Sequence, residues 1–397
     1  MAWIGVSKWV LDRFRCVRCT KTDRCSPNEE VEPGWFAYVR TRMKLSALLA
    51  ILLCPPLLFA ETVVYVSEGG HNRIAVYSLE EETATLERRG DVLLPGSPGA
   101  LALSGDGRLI YASVRSEKLF ATLGVDPATG LLSILATAPA AGNPAYVHPD
   151  ATGRWLLAAY YGEGLVSVSP IDDDGLVREE ALQVLDIGPK AHCILTDPAN
   201  RFVFTPHPMD LNCVDQFRFD AEKGELTLND PPTMPGEENA GPRHLKFHPN
   251  GRWAYVVNEQ GKSVTFCHFD AETGRLEKRQ TISTHPKDWY PNTGSCAEIK
   301  VSEDGRFVYA SNRGHESIAS FTIDPDTGEL AELERVPTEK IPRSFDLMPG
   351  GRFVVVAGQG EGKLALYRRD PETGRLTLAQ TLECGKSPAW VMGLPLP

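Results

Sequence analysis

The sequence predicts an all-β chain, a seven-bladed β-propeller with four strands per blade and the last blade closed by both chain termini. Three observations predict it. An acidic turn recurs along the chain, a Gly-Arg turn recurs between its copies, and each chain end resembles part of a blade.

The acidic turn reads DPATGLL at 126–132, DDDGL at 172–176, DAEKGEL at 220–226, DAETGRL at 270–276, DPDTGEL at 324–330 and DPETGRL at 370–376. A degenerate copy, EETATL at 81–86, precedes them and brings the count to seven. The turn glycines step by 45, 49, 50, 54 and 46 residues. A period of this size with alternating strands between turns is that of a propeller blade; a meandering sandwich would not space its turns so regularly.

The second turn appears six times, at Gly107-Arg108, Gly153-Arg154, Asn200-Arg201, Gly251-Arg252, Gly305-Arg306 and Gly351-Arg352. The termini account for the seventh. TVVYVS at 62–67 resembles a second strand such as FVYAS at 307–311, and SPAWVM at 387–392 resembles a first strand. The arginines of these turns, and His248 in one of them, are read as turn residues.

The chain has 397 residues and a net charge of −11, with 35 Gly and 30 Pro. The first sixty residues hold nine Lys or Arg and five Asp or Glu, so the remainder carries a net −15. An acidic body excludes a nucleic-acid partner, which needs a basic surface. A local arginine cluster is still compatible with one small anion. The sequence contains no Gly-x-Ser-x-Gly elbow, no HExxH and no P-loop, and no cofactor or metal is expected. Cys193, Cys213, Cys267, Cys296 and Cys384 are odd in number and widely spaced, as expected of small buried hydrophobes.

Residues 43–60, MKLSALLAILLCPPLLFA, follow Arg40 and Arg42 and have the build of a signal peptide, with cleavage after Ala60. The apolar run is short for a membrane span. An exported protein, periplasmic or secreted, is therefore expected, with no stable membrane span after cleavage. Residues 1–42 read as a disordered upstream extension; Cys16-x-x-Cys19 is half a zinc site without a second pair nearby. The propeller would occupy 61–397.

Within each blade, the start of the first strand and the end of the second meet on one face near the axis. Residues 241–259, GPRHLKFHPNGRWAYVVNE, show this best. They read as a loop, a strand (244–247), a tight turn (248–252) and a second strand (253–257). Arg243 and Glu259 should then sit side by side. Elsewhere this ring gathers Asn143-Pro144, His192, Ala297-Glu298 and Pro342-Arg343 before first strands. After second strands come Arg115, Tyr160-Tyr161, His207, Asn258, Asn312-Arg313, His315 and Gln359. Arg243 with Glu259 could equally be a fixed ion pair between blades, and His192 a structural histidine. The long insert 283–295, with Trp289 and Tyr290, reads as a lid or substrate wall on the same face.

GPRHLKFHPNGRWAYVVNE, AEIKVSEDGRFVYASNRGHESIASFTID (297–324) and PRSFDLMPGGRFVVVAGQ (342–359) closely resemble the seven-bladed lactonase family, over about residues 63–391. That family includes propeller-type 6-phosphogluconolactonases and 3-carboxy-cis,cis-muconate lactonizing enzymes. The resemblance implies a catalytic set of His192, Arg243, Glu259 and Arg313. It implies hydrolysis of a sugar lactone, in which the arginines hold an anionic group and the oxyanion while His192 or Glu259 activates water. His244, Asn258, Glu298, Asn312, Arg343 and Gln359 are expected to contact the substrate. Export sits poorly with a phosphorylated cytosolic substrate. The competing readings are a non-catalytic sugar- or protein-binding propeller and a muconate-type cycloisomerase.

Overall fold

The computed structural model describes residues 61–289 and 293–397. The expectations for the upstream extension and the signal peptide, and for Tyr290, lie outside the described residues. Among the described residues, 28 strands form seven four-stranded antiparallel sheets. Blades 1 to 6 are each built from four consecutive strands, the first starting at Pro98 and the sixth ending at Glu383. The closing blade takes its inner strand, Pro388–Pro395, from the C-terminal end and its other three from 62–93. Val64 pairs with Gly393 and Val66 with Val391 across that seam.

Each blade is short and could not bury its faces alone, so neighbouring blades share cores. One such cluster joins Trp253, Tyr255 and Phe266 of blade 4 to Val308, Phe321 and Leu330 of blade 5. The turns tie the same neighbours together by hydrogen bonds. Tyr255 donates to the Gly328 carbonyl at 2.8 Å, and Tyr309 to that of Gly374 at 2.8 Å. The turn Arg154 donates to the Ala221 carbonyl at 2.7 Å in the next blade's acidic turn. The acidic turns close on themselves: Asp324 Oδ1 accepts from the Asp326 and Thr327 amides. Gly274 has φ +70°, and a Cβ there would lie 2.1 Å from a ring carbon of Phe202. Glycine in this turn therefore supplies both a left-handed backbone and room for the blade beside it. Both repeated turns are structural, at the end of the propeller away from the residues described next.

The inner strands carry a second regularity. In six blades a β-bulge lies just after the inner strand begins. In blade 4, Pro242 pairs with Asn258 and His244 with Val257, so Arg243 is the extra residue. Ala145 and Arg343 are the extra residues in blades 2 and 6. A bulged residue has no partner across the ladder and its side chain is re-aimed. The pairing beyond the bulge also extends the strands of the central hairpin to Pro242–Phe247 and Trp253–Asn258, two residues and one residue longer than expected. In blade 3 the inner strand is only Leu195–Thr196, and His192 lies before it, held by its amide to the Pro206 carbonyl at 3.1 Å.

Candidate active site

A cavity of about 210 Å³ opens where these bulges point, lined by Arg115, Ala145, Tyr161, His192, Arg243, Glu259, Arg313 and Arg343. All four residues of the expected catalytic set are on this list, drawn from blades 3, 4 and 5. Three of the lining residues come from bulges on inner strands, Ala145, Arg243 and Arg343. Four lie at or just beyond the ends of second strands: Arg115, Tyr161, Glu259 and Arg313. Four guanidinium groups thus surround one carboxylate, within a chain of net charge −11.

Glu259 is held from both sides. Its Oε2 lies 3.1 Å from Arg243 Nε and its Oε1 2.9 Å from Arg313 Nη2. The Arg243 contact is ionic but off the hydrogen-bond line, so the buried Nε–H of Arg243 has no acceptor; that of Arg313 has none either. Arg243 Nη1 donates to the Ala297 carbonyl, and Arg313 Nη2 to that of Cys296 at 2.6 Å. Arg115 donates from Nε to Asn143 at 2.8 Å. Arg343 makes neither an ion pair nor a hydrogen bond with any described residue.

Crowding is visible in the titration of these groups. Burial, then Arg343 close by, pulls the Arg243 guanidinium down to about 9, although Glu259 works the other way. Burial, then Arg313 and Arg115, brings Arg343 down to about 10. Burial and the Arg243 charge push His192 well below the ordinary histidine range, so it is neutral at pH 7. The site therefore holds surplus positive charge at a cost to the fold, a pattern typical of functional sites.

The remaining expected substrate contacts fall elsewhere. His244 and Glu298 are 2% and 1% exposed and lie one layer beneath the cavity. His244 Nδ1 is 3.0 Å from Glu298 Oε1, and its Nε2 is 3.2 Å from His192 Nδ1. The Asn258 amide donates to Ser263 and Thr265, bracing the end of its own hairpin. Asn312 donates to the Thr284 carbonyl and to Ser317. Neither asparagine lines the cavity, and Gln359 does not. His207 is fully buried between Asp215 and the Pro189 carbonyl. Trp289 packs 4.4 Å from the His315 ring, not against the cavity. Arg115 and Tyr161 were placed in the ring but not among the expected contacts. The signal for them was position alone, since each directly follows a second strand.

Buried neutral histidines give the fold a pH dependence. Burial holds His148, His244 and His285 at about 4, against an ordinary value of 6.5. Between those values the unfolded chain binds protons that the folded chain does not, so stability falls as pH drops from 6.5 towards 4. Each such histidine contributes a slope of up to about 1.4 kcal/mol per pH unit. Melting curves across this window should show the decline, and His148→Gln should flatten it. An unchanged slope in that variant would mean His148 takes up its proton without unfolding.

The architecture and the site define a class: a seven-bladed propeller with an arginine-rich pocket at one axial mouth. Residues 63–392 match the family described as lactonase, 7-bladed beta-propeller, and the chain belongs to that family. Among its relatives is a 6-phosphogluconolactonase of Pectobacterium carotovorum, 34% identical over 292 residues, covering 72% of this chain and 85% of that protein. A solved structure described as the periplasmic gluconolactonase of Pseudomonas aeruginosa is 27% identical, with a TM-score of 0.77 over 85% of this chain and all of that one. A putative 6-phosphogluconolactonase from Bacteroides fragilis is 25% identical, with a TM-score of 0.77 over 86% of this chain and 99% of that one.

Proposed function

We propose that this protein hydrolyses a sugar lactone bearing an anionic group, opening the ring to the hydroxy acid in the axial mouth by acid/base chemistry without a metal. One observation carries the reading: four guanidinium groups, one carboxylate and a neutral imidazole line a cavity sized for a single sugar. Arg343, which makes no ion pair with any described carboxylate, suits the substrate's own anion. Arg243 and Arg313, each with an unused buried Nε–H, suit the oxygen that becomes negative as the carbonyl is attacked. His192 or Glu259 would deprotonate the attacking water and return the proton to the ring oxygen. The metal-free reading rests on donor chemistry, since a divalent cation would be repelled by four arginines around one carboxylate.

The names of the relatives support a gluconolactone or 6-phosphogluconolactone substrate. We infer too that residues 43–60 direct export, a reading supported by the periplasmic description of the Pseudomonas protein. A pH-stat assay on a panel of sugar lactones, phosphorylated and not, with chelator present, tests the function. Turnover of at least one lactone is expected. Ligand-induced melting shifts without turnover would replace it with a binding protein, and conversion of muconates alone with a cycloisomerase.

A further inference from the structure

The function above leaves the base open between His192 and Glu259. We propose that Glu298 and His244 are a positioning pair that holds His192 with its proton on Nδ1 and its Nε2 lone pair free for the cavity, making His192 the base. This inference rests on the lactone reading of the site.

The assignment follows from the buried end outward. Glu298 Oε1 sits 3.0 Å from the Ile299 amide and 3.0 Å from His244 Nδ1. Burial works against its charge, but the hydrogen bond from His244 and the charges of Lys300 and Lys246 outweigh that and keep the carboxyl well below the usual range. A carboxylate only accepts, so His244 Nδ1 carries a proton. Burial holds His244 neutral, down to about 4, so its Nε2 is a lone pair. Arg243 Nη1, which can only donate, points at that same Nε2 from 3.2 Å. His192 Nδ1 lies 3.2 Å from it and must donate as well. The opposite tautomer would set two lone pairs face to face in a buried site. His192 is also neutral, so its Nε2 is bare, and Nε2 makes no hydrogen bond to any described residue. The ring lines the cavity and is 7% exposed.

Glu259 is the weaker base on the same geometry. Both its oxygens are engaged by arginines, and a proton taken there would disrupt those ion pairs. It serves as the counter-charge that lets the guanidiniums coexist.

The step balances without any further reagent. The water oxygen bonds to the lactone carbonyl carbon, one water proton passes to His192 Nε2, and the carbonyl electron pair moves onto oxygen. The intermediate then collapses. The bond between the carbonyl carbon and the ring oxygen breaks, and the ring oxygen leaves with the proton from Nε2. The transient imidazolium faces Arg243 and His244 of blade 4, Arg343 of blade 6 and the Tyr161 ring of blade 2. Glu298, behind His244, answers it with negative charge along that line, and Glu259 lines the same cavity.

The test needs two readouts. In protein labelled with ¹⁵N-histidine, imidazole nitrogen shifts at neutral pH report the tautomer, with His192 assigned by its loss in His192→Gln. The wild type is expected to show a protonated Nδ1 and a bare Nε2, and His244→Phe to lose that preference. Glu298→Gln is expected to lower kcat by about tenfold or more with KM little changed. Its acid limb should move to lower pH, because removing the carboxylate weakens His192 as a base. A pair that only fills space would lower the melting temperature and move neither readout. A wild-type His192 protonated on Nε2, or a Glu298→Gln enzyme with the native kcat and acid limb, overturns the proposal. A wild type that carries the expected tautomer but opens no lactone removes the substrate reading and upholds the pair.

Discussion

Replacing His192 by glutamine is expected to lower kcat for lactone opening by about 10²–10⁴-fold while KM stays within about twofold. Glutamine cannot take a proton from water at neutral pH. The groups assigned to hold the substrate, Arg243, Arg313 and Arg343, are untouched. Stability should change little, because the imidazole is neutral and its one side-chain hydrogen bond, from Nδ1 to His244, can be replaced by the glutamine amide. Initial rates in a pH-stat, beside thermal melts of the same preparations, make the comparison. A variant that melts normally and keeps a third of the native kcat would take the imidazole out of the mechanism.

Arg343→Met should do the opposite to fold and function: stabilise the protein by about 0.5–2 kcal/mol and weaken substrate binding. Arg343 is half-buried, is repelled by Arg313 and Arg115, and makes no ion pair with any described carboxylate, although Glu259 attracts it from across the cavity. Methionine of similar length removes that repulsion and fills the same space. A charge-assisted hydrogen bond to the substrate is worth about 1.5–3 kcal/mol, so KM should rise about 10- to 100-fold. The sensitivity of KM to salt should fall with it, since one cation no longer attracts the ligand. Melting and steady-state kinetics at two ionic strengths check both halves. Lower stability with native KM would mean that Arg343 is a brace.

The fold was legible because its signals are local. The Asp-x-x-Thr-Gly and Gly-Arg turns state their own conformation, and counting them gave seven blades, with 62–67 and 387–392 completing the last. The nearness of Arg243 to Glu259 was legible too, because a tight hairpin fixes which residues face each other. What was not read was the slip at the start of six of the inner strands. Side chains alternate faces with a period of two, so one extra residue decides which neighbour points at the axis. At Arg243 and Arg343 the slip brings the charged residue to the cavity. It leaves His244 and Glu298 one layer deeper than expected. Asn258 and Asn312 lie off the cavity for a related reason: a strand-end amide is easily consumed by the neighbouring strand, here by Ser263, Thr265 and Ser317. A proline stands directly before the slip in five of the six blades, at Pro98, Pro144, Pro242, Pro342 and Pro388, and is the one mark of it that the sequence carries.

The unpaired residue at each of these slips is exempt from the demands of the ladder around it. Ala145, Arg243, Arg343 and Ala389 occupy such places in four blades, and in two more Gly99-Ala100 and Ala297-Glu298 each face a single partner residue. Of these, Ala145, Arg243 and Arg343 line the cavity, one small residue and two arginines. Exchanging one for another would retune which ligand is admitted while the surrounding lattice of main-chain pairing stays intact. The scaffold thus behaves like a lock with independent tumblers, in which selectivity can drift without dismantling the barrel that carries it.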